Sequence, residues 1–269
     1  MNSIKTWIRD NEINGYPTFS FEDVTAAFPN KSDNTVATEL SRLGSQGFIQ
    51  AVHKGFYTVI PTQYKLSGIV PPYYYIDQLM SHLCKPYYLS LLTAASLHGA
   101  AHQRPQYVYV TTIPPRMNTS QRLNNTIVWD YRRQVPEALL WKRNSETGII
   151  KFSSPELTAV DLVQRARDFG GMSGVAVVLV ELAESLDFTR NFELLFNAAT
   201  TRALQKLGCL LETFCGASRQ AKILYDLLTE KTGRLKYIPL KDDGSLEGWP
   251  KDTKWKIIIN TGIETDEVW

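Results

Sequence analysis

The stretch KSDNTVATELSRLGSQGFIQAVHKGFYTVI, residues 31–60, decides the fold of the first part of the chain. Its first half predicts a helix over residues 33–43, because Val36, Leu40 and Leu43 recur at helical spacing and can face a core. Glycines then end this helix. In the second half, FIQAV and FYTVI alternate apolar and polar residues, which predicts two strands joined by the turn HKG.

Two shorter helices are predicted ahead of this stretch. The first covers residues 2–11, and the break YPTFS follows it. Ser20 is a good N-cap for the second helix, FEDVTAAF, which ends before Pro29. Three helices followed by a two-stranded ribbon is the order of a winged helix-turn-helix, so residues 1–62 are predicted to form such a DNA-binding domain.

The remainder of the chain is predicted to be a linker and a larger domain. Residues 63–74 are rich in proline and glycine and are interpreted as the linker. Residues 75–269 mix strand and helix patterns, including helices predicted for YLSLLTAASLHGA and for residues 191–206. The expected fold class is therefore α+β, an N-terminal winged helix-turn-helix followed by a larger mixed α/β domain.

Composition excludes several classes of protein. The net charge of +2 over 269 residues does not indicate any class of binding partner. The three cysteines are too few for a disulfide framework. Cys84, Cys209 and Cys215 are expected to be free, buried thiols. The chain has no apolar run long enough to cross a bilayer and no signal-peptide pattern. We expect a soluble cytoplasmic protein with no membrane partner.

The outer face of the helix over residues 33–43 carries side chains suited to the DNA major groove. Asparagine pairs with adenine, arginine with guanine or phosphate, and threonine with phosphate or the thymine methyl group. The ribbon could reach the DNA backbone or a minor groove. The predicted DNA-binding residues are Lys31, Asn34, Thr35, Thr38, Arg42, His53, Lys54 and Tyr57.

The charge of residues 1–60 keeps interpretations other than DNA binding open. Residues 1–60 hold five Lys and Arg against six Asp and Glu, which is unfavourable for duplex binding by this module alone. The polar face of the helix predicted for residues 33–43 could equally be a solvated surface, or the N-terminal module could bind protein.

Residues 104–143, by contrast, hold seven Lys and Arg against two acids, with tryptophan and tyrosine interleaved. This stretch could bind nucleic acid or an acidic protein, or it could be strand edges guarded by arginine. Its basic residues are Arg104, Arg116, Arg122, Arg132, Arg133, Lys142 and Arg143.

No catalytic, metal or cofactor pattern emerges. His98 and His102 have the i, i+4 spacing of metal ligands, but HGA is typical of a helix end, and capping or packing is favoured. Glu156 and Asp161 lie five apart, off one another's helical face. Glu156 fits the first turn of a helix that starts after Ser153 or Ser154, with Pro155 in that first turn. We expect no enzyme, no metal and no cofactor.

Four segments resemble the AbiEi antitoxin family of type IV toxin–antitoxin systems. LSRLGSQGFIQAVHKGFYTV is similar to the family's N-terminal module, although its HKG turn is less basic than the family's usual one. LSLLTAASLHGAAHQRPQYVYVTT resembles the central motif, in which a helix ending in AA and LHG leads to a strand ending in VTT. FSSPELTAVDLV and LGCLLE resemble two later segments.

The resemblance implies a non-enzymatic repressor that binds inverted repeats in its own promoter through the winged helix. It also implies neutralisation of a nucleotidyltransferase-like toxin, without a tight complex being required. Carried across by position, the DNA contacts would be Asn34, Thr35, Thr38, Arg42 and Lys54.

Two hypotheses of function follow, and a third, an enzyme acting on nucleic acid, lacks any motif. In the first, the chain is a DNA-binding repressor and antitoxin whose larger domain serves self-association on DNA, extra phosphate contacts or toxin neutralisation. In the alternative, it is a non-catalytic interaction module whose basic stretch, residues 104–143, binds an acidic partner. No role is predicted for residues 231–269.

Overall fold

Both helices and strands occur along the described chain, and helices predominate between residues 155 and 232. The computed structural model describes residues 3–100, 106–117 and 127–263. Its mixture of helices with three separate sheets confirms the predicted α+β class. The α-helices of the described residues are α1 (Ile4–Ile13), α2 (Phe21–Ala27), α3 (Asp33–Ser45), α4 (Ile76–His82), α5 (Leu91–Leu97), α6 (Pro155–Gln164), α7 (Gly171–Leu182), α8 (Phe192–Ala198), α9 (Thr201–Thr213) and α10 (Ser218–Thr232).

The strands are short, at two to six residues each. They are β1 (Thr18–Ser20), β2 (Ile49–His53), β3 (Phe56–Val59), β4 (Tyr87–Leu89), β5 (Val108–Thr112), β6 (Ile127–Tyr131), β7 (Leu140–Ser145), β8 (Gly148–Ser153), β9 (Ile238–Pro239), β10 (Lys251–Asp252) and β11 (Ile257–Ile258). Short 3-10 helices lie at Thr62–Tyr64, Pro72–Tyr74, Glu137–Leu139, Ala166–Phe169 and Ala183–Ser185.

Serine side chains start the first three helices. Ser3, Ser20 and Ser32 each accept a hydrogen bond from the backbone N–H three residues later. At α2 the carboxylate of Asp23 accepts in return from the Ser20 N–H at 2.7 Å, which completes a capping box. Since these caps satisfy amides that have no partner inside a helix, they fix where each helix begins.

The predicted ribbon is present as the hairpin of β2 and β3, and β1 adds a third strand in the order β1-β3-β2. β1 pairs antiparallel with β3, with Thr18 opposite Thr58. The sequence does not predict this strand, because its partner lies forty residues later in the chain. Behind the sheet the core comprises Ile4, Ile8, Phe19, Val24, Val36, Leu40, Leu43, Ile49 and Val59.

The segment interpreted as a linker makes specific contacts. The Val70 N–H donates to the side-chain oxygen of Gln50 on β2 at 2.7 Å, and Val70 is buried. The side-chain amide of Gln63 and the hydroxyl of Tyr64 both reach the carboxylate of Glu146. These bonds hold the segment at three places, and the division of the chain at residues 62 and 75 stays a prediction.

The second sheet has five strands in the order β6-β5-β4-β8-β7. Its central strand β4 occupies the start of a segment predicted to be helical, so that prediction is wrong there. The three residues of β4 are fully buried, and Leu89 pairs in parallel with Phe152 of β8. A short apolar run buried on both faces cannot be told from a helix by periodicity, and helix α5 begins only at Leu91.

A second correction concerns the single helix predicted for residues 191–206. The structure has two helices there, because the backbone at Ala199 is extended. Thr200 then caps α9 by accepting a hydrogen bond from the Ala203 N–H at 3.1 Å. The threonine therefore works as an N-cap and not as a residue in the middle of a helix.

The C-terminal segment folds around Trp255. The Trp255 ring is fully buried, and its N–H donates to Glu212 on α9 at 2.5 Å. The side-chain amide of Gln205 donates to the carbonyls of Trp255 and Lys256. Close by, β11 pairs in parallel with β9 and antiparallel with β10. Helix α9 thereby anchors the segment that follows α10.

The described chain divides into two compact units. The first comprises residues 1–88, 110–135 and 142–151, and the second comprises residues 89–109, 136–141 and 152–269. No helix among the described residues has the length and apolar character needed to span a membrane.

Candidate nucleic-acid interface

One face of helix α3 fixes the helix in the first unit. Val36, Leu40 and Leu43 are between 0% and 2% exposed and belong to the core of the first unit. Their spacing places all three on one side of the helix. The predicted inward face of α3 is therefore observed.

The opposite face of α3 is open to solvent. Asn34, Thr35, Thr38 and Arg42 are all exposed. Ser41 is exposed as well and lies seven residues after Asn34, which puts it on the same stripe. Sequence reasoning missed Ser41, although this spacing is the signal that could have found it.

Two threonine hydroxyls on this face already have partners within their own helix. The Thr38 hydroxyl donates to the carbonyl of Asn34 at 2.8 Å. The hydroxyls of Thr35 and Ser32 lie 2.9 Å apart at the N-cap. With its proton engaged, the Thr38 side chain offers an outside partner its methyl group and an acceptor oxygen. Such a side chain suits the thymine methyl better than a phosphate.

The two cations of the α3 region differ in their surroundings. The Lys31 ammonium forms an ion pair with Glu39 at 3.2 Å. No ion pair of Arg42 is found among the described residues, and Arg42 lies in the last turn of α3, where a cation is favoured by the helix dipole. Arg42 is thus the better placed of the two to meet a new anion.

The turn of the ribbon presents Lys54 to solvent. Gly55 beside it has φ of +72°, a conformation that glycine adopts without strain. His53 is half-buried, and its Nδ1 lies 3.2 Å from the Lys54 carbonyl oxygen. Because a carbonyl oxygen can only accept a hydrogen bond, Nδ1 is the donor in this contact.

Tyr57 belongs partly to the core of the first unit. Its ring stacks on Phe19, with centroids 5.6 Å apart and planes 18° from parallel. Burial, followed by the charge of Glu22, raises the pKa of its hydroxyl. The hydroxyl therefore stays protonated at neutral pH and can donate a hydrogen bond.

Four of the described basic residues of 104–143 lie at two edges of the five-stranded sheet. Arg132 and Arg133 directly follow the edge strand β6, whereas Lys142 and Arg143 are exposed on β7 at the opposite edge. Because the sheet has five strands, four strand spacings of about 4.8 Å each separate these edges. Arg104 and Arg122 lie outside the described residues.

Aromatic groups hold two of the arginines near β6. One guanidinium nitrogen of Arg132 donates to the Tyr88 hydroxyl at 2.8 Å. The guanidinium of Arg116 lies 5.8 Å from the centre of the Tyr131 ring, in a cation–π contact. Arg133 is exposed.

The first unit is positively charged as a whole. Its described residues hold 13 Lys and Arg against 9 Asp and Glu, a formal charge of +4. Every described member of the basic stretch falls in this unit, together with α3. The negative balance of residues 1–60 is thus reversed within the unit to which they belong.

His98 packs against aromatic side chains. Its Nε2 lies 2.8 Å from the Ser153 carbonyl, and its ring contacts Trp141 and Phe152. Burial lowers the pKa of His98, although the bond to Ser153 opposes that effect. His102 lies outside the described residues. Over the parts of the chain that are described, no group of three or more potential metal ligands occurs.

The three cysteine thiols, and Glu156 on α6, have structural surroundings that do not require a catalytic role. Cys209 is buried and Cys215 half-buried, and burial raises the pKa of each to about 12. Cys84 is exposed, contrary to expectation, and it follows the end of α4 with φ of +52°. The Glu156 carboxylate accepts a hydrogen bond from the Asp187 N–H at 2.8 Å.

Comparison with known proteins finds a family model that matches part of the chain and a solved structure with a similar fold. Residues 88–213 match the family model described as the AbiEi antitoxin C-terminal domain. The crystal structure of the RV2827C protein from Mycobacterium tuberculosis is similar, with a TM-score of 0.64 at 18% identity, over 96% of this chain and 92% of that one. This likeness shows the fold alone. No curated protein matches the chain.

Proposed function

We propose that this chain, whose residues 88–213 match the AbiEi antitoxin C-terminal domain, is an antitoxin that represses its own promoter and counteracts a nucleotidyltransferase-like toxin in a type IV system. The role of an antitoxin follows from the matched domain. DNA binding, repression and the chemistry of the toxin are the proposed part.

One observation carries the DNA-binding proposal. Helix α3 is held by Val36, Leu40 and Leu43 while its opposite face is exposed over its full length. A recognition helix needs this division, because one face must fix the helix in the domain and the other must reach base edges. The order of three helices and a hairpin, with β1 added, supports a winged helix-turn-helix.

The roles of the side chains follow from their surroundings. Asn34, in the first turn of α3, contacts adenine, and Thr38 presents its methyl group to thymine. Arg42 contacts guanine or phosphate. Lys54 at the turn of the ribbon neutralises a phosphate, with Tyr57 as a neighbouring hydrogen-bond donor. His53 beside it can donate to a phosphate through Nε2 in its doubly protonated form.

Charge supports the same proposal. DNA affinity depends mainly on neutralised phosphates, and a formal charge of +4 on the first unit favours it. Thr35, next to the N-cap of α3, and Lys31, once released from Glu39, add phosphate contacts. Two copies bound to inverted repeats would account for self-association on DNA.

A gel-shift assay on DNA from upstream of the gene tests the role of α3. Changing Thr38 and Arg42 together to Ala should weaken binding about a hundredfold, because a good base contact is worth about 1–3 kcal/mol. Arg9→Ala is the control, since it removes an exposed cation from α1 and should change affinity little. Equal binding by the wild type and the double variant would exclude α3 from recognition.

Co-expression tests the antitoxin part separately. A neighbouring reading frame for a nucleotidyltransferase-like protein should arrest growth when expressed alone, and this chain should relieve the arrest. Persistent arrest at full expression of the folded chain would contradict the neutralising role, whatever the gel shift shows.

The second candidate function is an interaction module for an acidic protein. It is favoured by β7, an edge strand whose Lys142, Arg143 and Asn144 are all exposed. An edge strand can add a strand from a partner, with flanking charges selecting an acidic sequence. Pull-down of the chain that recovers acidic protein and no DNA would favour this candidate.

A further inference from the structure

The small sheet of the C-terminal segment has one face that the proposed function does not use. Its strands lie in the order β10-β11-β9, and all three follow the residues that match the antitoxin domain. One face packs on α9, because Ile257 of β11 and the neighbouring Trp255 are fully buried there. On the other face Tyr237, directly before β9, is 47% exposed, and Lys251 on β10 is exposed as well. This second face is open to a partner.

Two lysines and the Tyr237 ring form one cluster on the open face. The Nζ of Lys256 lies 5.1 Å from the centre of the ring, and the Nζ of Lys251 lies 5.9 Å from it. Since β11 separates β10 from β9, the Lys251 side chain reaches across the central strand to the ring. The cluster therefore presents an aromatic surface and two positive charges together.

Neither lysine beside the ring is neutralised by an acid. No ion pair of Lys251 or Lys256 occurs within the described part of the chain. Arg234 and Lys236, which lead into Tyr237, are exposed, and the described residues contain no ion-pair partner for either. The ring and the chain leading to it thus carry four cations that can meet a new anion.

The acids of residues 234–258 do not cancel this charge. Three of the four already have partners: Asp242 with Lys206, Asp243 with Lys241, and Asp252 with the Trp255 N–H. Burial, and then the charge of Asp252, raise the pKa of the buried Cys209 thiol on α9, so Asp252 lies on the α9 side of the sheet. The fourth acid, Glu247, lies on the exposed loop between β9 and β10.

The backbone of Lys256 is held in a strained conformation beside the ring. Its φ is +53°, in the left-handed region that costs a non-glycine residue free energy. The Lys256 carbonyl accepts from the buried side chain of Gln205 at 3.1 Å and from the Ile238 N–H at 3.0 Å. Strained residues that are fixed in this way cluster at ligand sites.

We propose that this face binds single-stranded RNA, with an unpaired base stacked on the Tyr237 ring and neighbouring phosphates against Lys251 and Lys256. Exposed aromatic rings combined with cations are a recurrent means of binding single strands. A duplex keeps its bases stacked on one another, and an acidic protein offers charge without a base to stack. RNA is the occupant, because it supplies most of the unpaired bases in a cell. The proposal goes beyond repression and neutralisation and uses the second unit only.

Fluorescence anisotropy of the full chain tests the proposal with a labelled 12-nucleotide oligouridine. The single strand should bind, and the same strand annealed to oligoadenosine should bind at least tenfold more weakly. Polyglutamate of matched charge should compete at least tenfold less well than unlabelled oligouridine, because it has no base to stack.

Variants of Tyr237 test the stacking contact. Tyr237→Ala should weaken binding of oligouridine at least fivefold, whereas Tyr237→Phe keeps the ring and should bind as the wild type does. The matched control is Tyr107→Ala in the same unit, because Tyr107 is 49% exposed and no cation of the described residues lies over its ring. It should leave the affinity unchanged.

The double variant K251Q and K256Q tests the phosphate contacts. The slope of log affinity against log salt concentration should fall by about 1.4, since each phosphate contact on a single strand contributes about 0.7. K222Q removes an exposed cation from α10 and should leave the slope at the wild-type value. Circular dichroism establishes that all variants are folded.

Ultraviolet cross-linking in cells identifies the strand that is bound. The wild type should recover RNA, and Tyr237→Ala should recover at least fivefold less.

Four results would overturn the proposal: no binding of oligouridine by the wild type, equal weakening by Tyr237→Ala and Tyr107→Ala, duplex or polyglutamate binding as tightly as the single strand, or recovery of DNA alone from cells. None depends on whether α3 binds DNA, because every variant lies in the second unit.

Discussion

Gly208 on helix α9 allows the Trp255 ring to lie directly against the helix backbone. A Cβ atom at position 208 would lie 1.9 Å from the ring, a distance that requires either the ring or the helix to move. Gly208→Ala should therefore lower the free energy of unfolding by about 1–3 kcal/mol, the usual cost of overpacking. Denaturant unfolding followed by tryptophan fluorescence measures this change.

Gly44 is the matched control, because it also lies within a helix but has room for a Cβ atom. Gly44→Ala should leave stability unchanged or raise it by up to about 1 kcal/mol, since alanine favours the helix. If Gly208→Ala is as stable as the wild type, the close packing of Trp255 on α9 is not a constraint.

Glu212 makes the attachment of the C-terminal segment depend on pH. Burial would raise the pKa of Glu212, but hydrogen bonds from Lys254 and Trp255 outweigh burial and lower the pKa. A carboxyl group whose pKa is lower in the folded state stabilises the fold above its unfolded pKa of about 4.3. That stabilisation is lost as the pH falls through the lower, folded value.

The corresponding experiment compares the wild type with Glu212→Gln between pH 7 and pH 3. The variant should be less stable at pH 7, and the difference in free energy of unfolding should shrink as the pH falls below about 4.3. A difference that does not change with pH would mean that the carboxylate charge of Glu212 has no role.

Single residues are predictable from sequence wherever their partners are near in the chain. The sequence predicts Ser20 as the cap of α2, and Ser20 caps it together with Asp23, three residues away. The partner of His98 is not predictable, because Ser153 lies 55 residues away. Only the fold brings such a pair together.

At the level of elements, β7 separates the two candidate functions. If Lys142 and Arg143 contact phosphates, changing both to Ala should weaken promoter binding uniformly across sequences. The slope of log affinity against log salt concentration should then fall by about 2, since each phosphate contact contributes about 1 to the slope. Fluorescence anisotropy at several salt concentrations measures this slope.

An unchanged slope would favour an acidic protein as the partner of β7. Arg9→Ala, a cation on α1 that is outside the proposed interface, is the control for general charge effects. It should leave the slope at the wild-type value.

Elements with their own periodicity are predictable from sequence, and elements defined by distant pairing are not. Val36, Leu40 and Leu43 predict helix α3, and alternation with a turn predicts hairpin β2–β3. Strands β1 and β4 escape prediction, because β1 pairs with β3 forty residues later and β4 pairs with β8 about sixty residues later. Local propensity is overridden in both by tertiary pairing.

At the scale of the whole molecule, the positive charge gathers in the unit that contains α3. The sequence shows an acidic N-terminal stretch and a basic stretch after residue 104, but it cannot show that both contribute to one compact unit. The α+β class is predictable from the order of elements. The surface depression lined by Arg167 and Lys241 is not, since its walls come from segments about seventy residues apart.

The most direct test of the central claim is disulfide cross-linking of the full chain to its promoter. Thr38→Cys is introduced with Cys84→Ser, because Cys84 is the exposed native thiol among the three. The pKa of about 12 for Cys209 and Cys215 keeps those thiols unreactive near neutral pH.

The DNA carries a thiol tethered to a base in the major groove, at successive positions of the promoter. We predict that the Thr38→Cys variant cross-links at a few adjacent positions, and that a matched Ile13→Cys variant, altered at an exposed position of α1, does not. Cross-linking from position 13 and none from position 38 would contradict the placement of α3 in the groove.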